Sequence, residues 1–302
     1  MSIASVAIFV LSLAECPAQV DTLQKDTNTL KKGRLAIAIT SEGVVAVGTL
    51  IGLSSLWYKD YPRSSFHFFN DNHEWLQMDK MGHFFTAYQL SRVGYGSLKW
   101  SGVKENRCAW YGGATGASYQ LIIEVLDGLS AEWGFSWGDF TANMAGSILF
   151  TTQQLIWHEQ RFWPKFSYHY TEYAAIRPEL LGSNWAERLL KDYNGQTYWL
   201  SVSPGSFLKP EKKFPRWAAV SIGYSAEGMV VGDPDDLILH PEYMQYQRNR
   251  RFFLSLDVDF SKIPFKSKAL RTLFSFVNTL KVPFPAIEYN TGRGFQGHWF
   301  YL

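Results

Sequence analysis

The chain has little cysteine, little charge and no strong net charge. Of 302 residues only two are cysteine, Cys16 and Cys108. That excludes a disulfide framework, so stability must come from packing. Charged residues make up 19 %, below the roughly 25 % of ordinary soluble domains. The formal net charge is only +2, which excludes the concentrated basic excess of a dedicated nucleic-acid binder. No internal repeat or low-complexity tract is present. What is abundant instead is aromatic side chain, 17 % Phe, Trp and Tyr. Few charges with many aromatics suit a protein that meets a membrane interface.

The first 19 residues read as a signal peptide. A short apolar run, Ile3 to Leu13, is followed by small residues, with cleavage expected near Ala18 or Gln19. A basic n-region is missing. Leu13-Ala14-Glu15-Cys16 has the outline of a lipidation box, but Glu15 stands where a small residue is required. Residues 20–34 form a polar linker ending in Lys31, Lys32 and Arg34.

Residues 35–162 read as a helical, membrane-associated domain. Leu35 to Trp57 carries one ionisable group, Glu42, and is long enough for a hydrocarbon core that about 20 helical residues cross. Three further apolar stretches, 81–98, 109–126 and 140–157, are marginal for spanning and equally suit a bundle core. Gly48 and Gly52, and then Gly112, Gly113, Gly116 and Ala117, make small-xxx-small spacings that allow close helix approach. Between the first two apolar segments lies an aromatic, turn-rich stretch from Tyr58 to Gln77.

Residues 163–302 read as strand-rich. Period-two alternation occurs at 166–171, 197–202, 217–224, 252–260 and 295–302. In the fourth, Phe252, Leu254, Leu256, Val258 and Phe260 share one face, expected to be buried, and Ser255, Asp257 and Asp259 share the other. A small sheet accounts for these strands more easily than a lipid-facing barrel wall, because a helix-like stretch, 267–280, interrupts them. The expected fold class is α+β, a bundle of about four apolar helices followed by a strand-rich C-terminal region.

Charged and polar residues recur inside the apolar segments, where they are expensive unless paired. Asp79 and His83 are one helical turn apart, so a carboxylate can orient an imidazole as general base or acid. The plainer account is that Asp79 caps a helix and His83 is a satisfied core or surface residue. Glu124 and Asp127 share a face, with Gln120 four residues before Glu124. They can share a proton, hold a hard cation, or simply end a helix. Ser136 and Asp139 have capping-box spacing, and Asn143 follows one turn after Asp139, with Gly146 beyond it. In an up-down bundle all these helix ends lie at one level. They define one polar site, with His83, Asp79, Glu124, Asp127 and Asp139 in catalytic positions and Lys80, Asn143 and Ser136 in binding positions. A set with one histidine and several carboxylates is poor for zinc and better for Mg²⁺, Ca²⁺ or Mn²⁺. Which metal, if any, and which cofactor stay open.

Asp79-Lys80-x-x-His83-Phe84, the Glu124-x-x-Asp127 helix end and Ser136-Trp137-x-Asp139 with Ala145 and Gly146 resemble the YfiM-like periplasmic lipoprotein family, domain of unknown function 2279. The long form, with the aromatic stretch before and the strands after, resembles members from Bacteroidetes-type bacteria. The order of motifs is more distantly similar to VanZ-like membrane proteins. The resemblance implies an exported cell-envelope protein and supplies no reaction or cofactor. Two functions stay open: an envelope hydrolase or transferase acting on a lipid or cell-wall-linked substrate at a membrane surface, and a non-catalytic structural or partner-binding protein with a buried polar network. A membrane, and an envelope lipid or protein, are the expected partners, with no nucleic acid. Inner and outer membrane are not distinguished.

Overall fold

A computed structural model of the chain describes residues 29–54, 62–208 and 214–302. The expected signal peptide, most of the polar linker and Cys16 lie outside the described residues. Four long helices come first: α1 (Lys32–Leu53), α2 (Met78–Trp100), α3 (Glu105–Gly128) and α4 (Trp137–Trp157). Then follow β1 (Phe162–Tyr168), the short helices α5 (Tyr173–Ile176), α6 (Pro178–Leu181) and α7 (Trp185–Lys191), and the strands β2 (Gln196–Val202), β3 (Ala218–Glu227) and β4 (Asn249–Val258). Helix α8 (Lys268–Val277) precedes β5 (Phe284–Asn290) and β6 (Gly294–Tyr301). The fold is α+β, with helices first and one six-stranded antiparallel sheet after them.

The residues group into two compact units. Of the described residues, one holds those up to Asn70, His83–Gln160 and Lys266–Leu273; the other holds Asp71–Gly82, those within Arg161–Phe265, and Phe274–Leu302.

In the helical unit, α1 is the single helix among the described residues that is long and apolar enough to cross a membrane. Its Leu53 joins Leu90 of α2 and Tyr119 and Ile123 of α3 in a core cluster, and the Thr49 and Tyr119 hydroxyls meet at 2.7 Å. Its one carboxylate, Glu42, accepts a hydrogen bond from Ser97 of α2. The other three helices meet backbone to backbone. A Cβ at Gly116 would collide with the Ala87 carbonyl and Ser91 on α2, and one at Gly146 would run into the Phe84 carbonyl. Glycine at these two points lets α3 and α4 both close on α2.

The sheet is a meander, β1 through β6 in sequence order. It curls strongly. The Tyr301 hydroxyl of β6 reaches Thr197 of β2 at 3.3 Å, and its ring lies 4.2 Å from Phe253 and 6.0 Å from Trp199. Strand β5, which pairs with β4 and β6, has no counterpart among the expected strands. Pro283 and Pro285 break its pattern, and the ladder with β6 shifts register between Phe284 and Ala286.

The faces of β4 are the reverse of expectation. Phe252, Leu254 and Leu256 are exposed, whereas Arg251, Ser255 and Asp257 are buried. Burial of the polar side is possible because its groups are paired. Lys165 of β1 meets Asp257 at 2.9 Å with both side chains fully buried, and Ser221 donates to the same carboxylate at 2.9 Å. Paired, hydrogen-bonded charges escape most of the desolvation penalty that isolated ones suffer.

Candidate functional site

Three helices deliver the polar cluster of the helical unit. His83 comes from α2, Gln120 and Glu124 from α3, Asp139 and Asn143 from α4. The start of α4 is held from outside by the aromatic stretch before α2. Phe69 N–H donates to Phe135 O at 3.0 Å and Phe135 N–H to His67 O at 2.9 Å. The rings of Phe68 and Trp137 stack 5.9 Å apart. Ser136 then caps α4, its hydroxyl accepting from the Asp139 N–H at 3.1 Å. This fixes where Asp139 and, one turn on, Asn143 face.

The imidazole of His83 is at the centre. Its Nδ1 lies 3.1 Å from Asn143 Oδ1 and 3.4 Å from Glu124 Oε1. Its Nε2 lies 3.9 Å from Asp139 Oδ2. Asn143 Nδ2 donates to Glu124 Oε1 at 3.2 Å, and Gln120 Nε2 donates to Asn143 Oδ1 at 3.0 Å. The inner end of the cluster is dry, with the Glu124 side chain 1 % exposed, while those of His83 and Asp139 are 11 % and 9 % exposed. Gln120 Oε1, also buried, has no hydrogen-bond partner among the described residues. One ligand atom each from His83, Glu124 and Asp139 lies within 4.8 Å of the others.

Asp127 is half-buried at the end of α3 and outside this trio. Asp79 and Lys80 fall in the first turn of α2, which groups with the sheet-bearing unit. Helix α2 begins at Met78, so Asp79 lies within its first turn. There Lys80 bridges Asp71 at 2.7 Å and Asp79 at 2.9 Å. Lys80 therefore already has two anionic partners inside the protein. Burial, followed by the Asp71 charge, pushes the Asp79 carboxyl above its ordinary range against the opposing pull of Lys80. Glu74, just upstream, is raised to about 7 by burial and by the charges of Asp71 and Asp79.

Gln120, noted in the sequence for its place before Glu124, is the member not counted among the expected site residues. A neutral amide on an apolar helix gives no signal of its own, although its place one turn before Glu124 puts it on the right face.

The motif residues all fall within one matched segment. Residues 67–153 match the family described as predicted periplasmic lipoproteins, domain of unknown function 2279. No curated protein and no solved structure matches the chain. The family description gives an exported, envelope location. The match thus spans the stretch from His67 to Gln153, which holds α2, α3, most of α4 and the whole His83 cluster.

Proposed function

We propose that this envelope protein is a hydrolase or transferase acting on a lipid or cell-wall-linked substrate at a membrane surface, with His83 as its acid–base group. The observation that carries the reading is the unequal treatment of the two imidazole nitrogens. Nδ1 faces two acceptors on the dry side, Asn143 Oδ1 and Glu124 Oε1, with the Gln120 amide nitrogen also at 3.4 Å. A proton held there leaves the Nε2 lone pair on the side nearer solvent, toward Asp139. An imidazole oriented on Nδ1 by a buried carboxylate, with Nε2 turned toward a second carboxylate, is an arrangement suited to moving a proton to or from water or a substrate hydroxyl. In this reading Glu124 and Asn143 are positioning residues, and Asp139 binds substrate or steadies the charge that develops.

The 3.9 Å between Nε2 and Asp139 Oδ2 is long for a hydrogen bond and suits two ligands of one cation. With such an ion bound, His83 would be a ligand and not the base, and the ion would be Mg²⁺ or Mn²⁺ in preference to structural zinc, given one nitrogen beside carboxylates.

A second reading is favoured by a specific observation. The same bundle carries another buried polar network, in which Gln160 bonds Tyr88, Gln153 and Gln154 at 3.0, 2.9 and 3.1 Å. The His83 cluster would then be a register-setting network of the same kind, in a non-catalytic envelope protein.

One experiment separates the two. Purified protein in detergent is incubated with a bacterial envelope lipid extract, with and without Mn²⁺, and products are followed by mass spectrometry. The acid–base reading expects turnover that His83→Ala and Asp139→Asn abolish while the melting temperature stays within a few degrees. Absence of turnover in the unaltered protein, or loss of turnover only in step with loss of stability, sinks it. An Mn²⁺-dependent rise in melting temperature that both variants lose would establish the cation.

A further inference from the structure

Strands β3 to β6 present an outward face with the chemistry of a core. Ile222, Leu254 and Ile287 lie directly opposite one another and form an aliphatic row across three strands. All three are exposed. The next row toward one end is aromatic, with Tyr224, Phe252, Tyr289 and Phe295 in register. Beyond it the face turns polar at Arg250, whose guanidinium bonds the Leu76 carbonyl at 3.1 Å. Toward the other end the face carries Leu256 and then, on β6, Trp299, which is 82 % exposed. Arg250 is the only outward position on these four strands with an Asp, Glu, Lys or Arg side chain.

The inward face is the opposite. Glu288 accepts two bonds from Arg251, at 2.7 and 2.9 Å, and lies 2.7 Å from His298 Nε2. Lys165 and Asp257 pair across the interior. An antiparallel sheet folded in water puts polar residues out and apolar residues in. Here the interior charges are paired, and the apolar outer face is the side that gains by meeting something other than water. A wall with apolar residues outward, polar residues inward and aromatic residues flanking the aliphatic rows is the pattern of a sheet in lipid. From Arg250 to Val258, β4 rises about 26 Å at roughly 3.3 Å per residue, which at the roughly 40° tilt of such walls crosses about 20 Å, most of their apolar band of about 25 Å.

We infer that the outer face of β3–β6 is a lipid-facing wall seated in the hydrocarbon of a bilayer. This rests on the sheet alone and stands or falls independently of the acid–base reading of the His83 cluster. The occupant is lipid and not a water-soluble partner because the patch is bordered by aromatic side chains and offers a partner neither charge nor free backbone edge at its centre.

The test uses the full chain reconstituted in vesicles of phosphatidylethanolamine and phosphatidylglycerol. Spin labels are placed singly by Ile222→Cys, Leu254→Cys and Ile287→Cys, with Met244→Cys as the water-exposed control, in a background where Cys16 and Cys108 are replaced by alanine. The expected result is that dissolved oxygen relaxes the three sheet labels several-fold more effectively than a water-soluble nickel complex, and that the order reverses at position 244. Nickel access at the three positions equal to that at 244 would mean a wetted face and would overturn the inference. Protection from both reagents would mean that another protein chain or a second copy covers the face, and would overturn it as well. Photolabelling of the unsubstituted protein by a diazirine carried on a lipid acyl chain gives the same decision without any variant. Adducts should map to peptides of β3–β6, and their absence there counts against the wall.

Discussion

His83 Nδ1 lies 3.4 Å from Glu124 Oε1, and the Asn143 amide donates to that same oxygen at 3.2 Å. One buried carboxylate oxygen therefore ties α2 and α4 to α3. Glu124→Ala takes the acceptor from the buried Asn143 amide and one of two acceptors from His83 Nδ1, at an expected cost of about 1–3 kcal/mol. Asn143→Ala should cost about the same, and the double variant less than the sum, because both act on one network. Denaturant unfolding of the three variants checks this. Additive losses would show that the residues do not act together.

Helix contact without intervening side chains gives a second prediction. Gly146→Ala and Gly116→Ala place a methyl group against a neighbouring backbone carbonyl. Backbone cannot move aside as a flexible side chain does, so each should lower stability by about 1–3 kcal/mol. Gly48→Ala, with nothing within 4 Å of the added Cβ, is the control. It should be neutral or slightly stabilising, since alanine is the better helix former. Thermal unfolding of the three side by side reads the difference.

The acidic turn before α2 predicts a pH dependence. The Glu74 pKa is raised to about 7 from an ordinary value of 4.5. Below about 4.5 the carboxyl is protonated in both folded and unfolded chains. Between 4.5 and 7 the unfolded chain loses its proton first, so the folded state binds more protons and its stability falls as pH rises. Above about 7 the loss is complete. Glu74→Gln should therefore raise the melting temperature more at pH 8 than at pH 4.5. An equal shift at both values would show that Glu74 is not the group responsible.

The interior of the curled sheet supplies a fourth. Asp257 is fully buried with Lys165 at 2.9 Å and Lys281 at 4.0 Å. Asp257→Ala strands two ammonium groups and should cost about 3–5 kcal/mol. Lys165→Met combined with Asp257→Leu should recover a substantial part of it, because the penalty belongs to the unpaired charge. Recovery is read from the urea midpoint in detergent.

Much of the helical unit was legible because runs of about 18 apolar residues leave few other choices. Helices α2, α3 and α4 each enclose the stretch expected of them, and Ser136 caps α4 as its spacing implied. Contacts along one helix are readable from spacing; contacts between helices are not. Asp79 and His83 stand out as a pair for the first reason, while His83 and Asn143, 60 residues apart, could be placed in one site but not bonded to each other for the second. In the sheet, alternation told which β4 residues share a face. It could not tell which face meets solvent, since period two is the same for a wall with its apolar side in or out. Strand β5 was hidden by Pro283 and Pro285, whose missing N–H groups argue against a strand wherever they occur.

The turn before α2 has a consequence for the order of folding. Trp75, Leu76 and Gln77 all have positive φ, at 45°, 49° and 63°, a conformation that such side chains rarely hold unaided. The Leu76 carbonyl is held by Tyr224 and Arg250, which are 148 and 174 residues later in the chain. A nascent chain leaving an export channel would carry this turn long before its two clasps have emerged. The first turn of α2, with Asp79 and Lys80, is thus set by partners that arrive after the rest of that helix can wind. Such long-range closure is slow, and it makes the arrival of β3 and β4 the step on which the geometry of this turn waits.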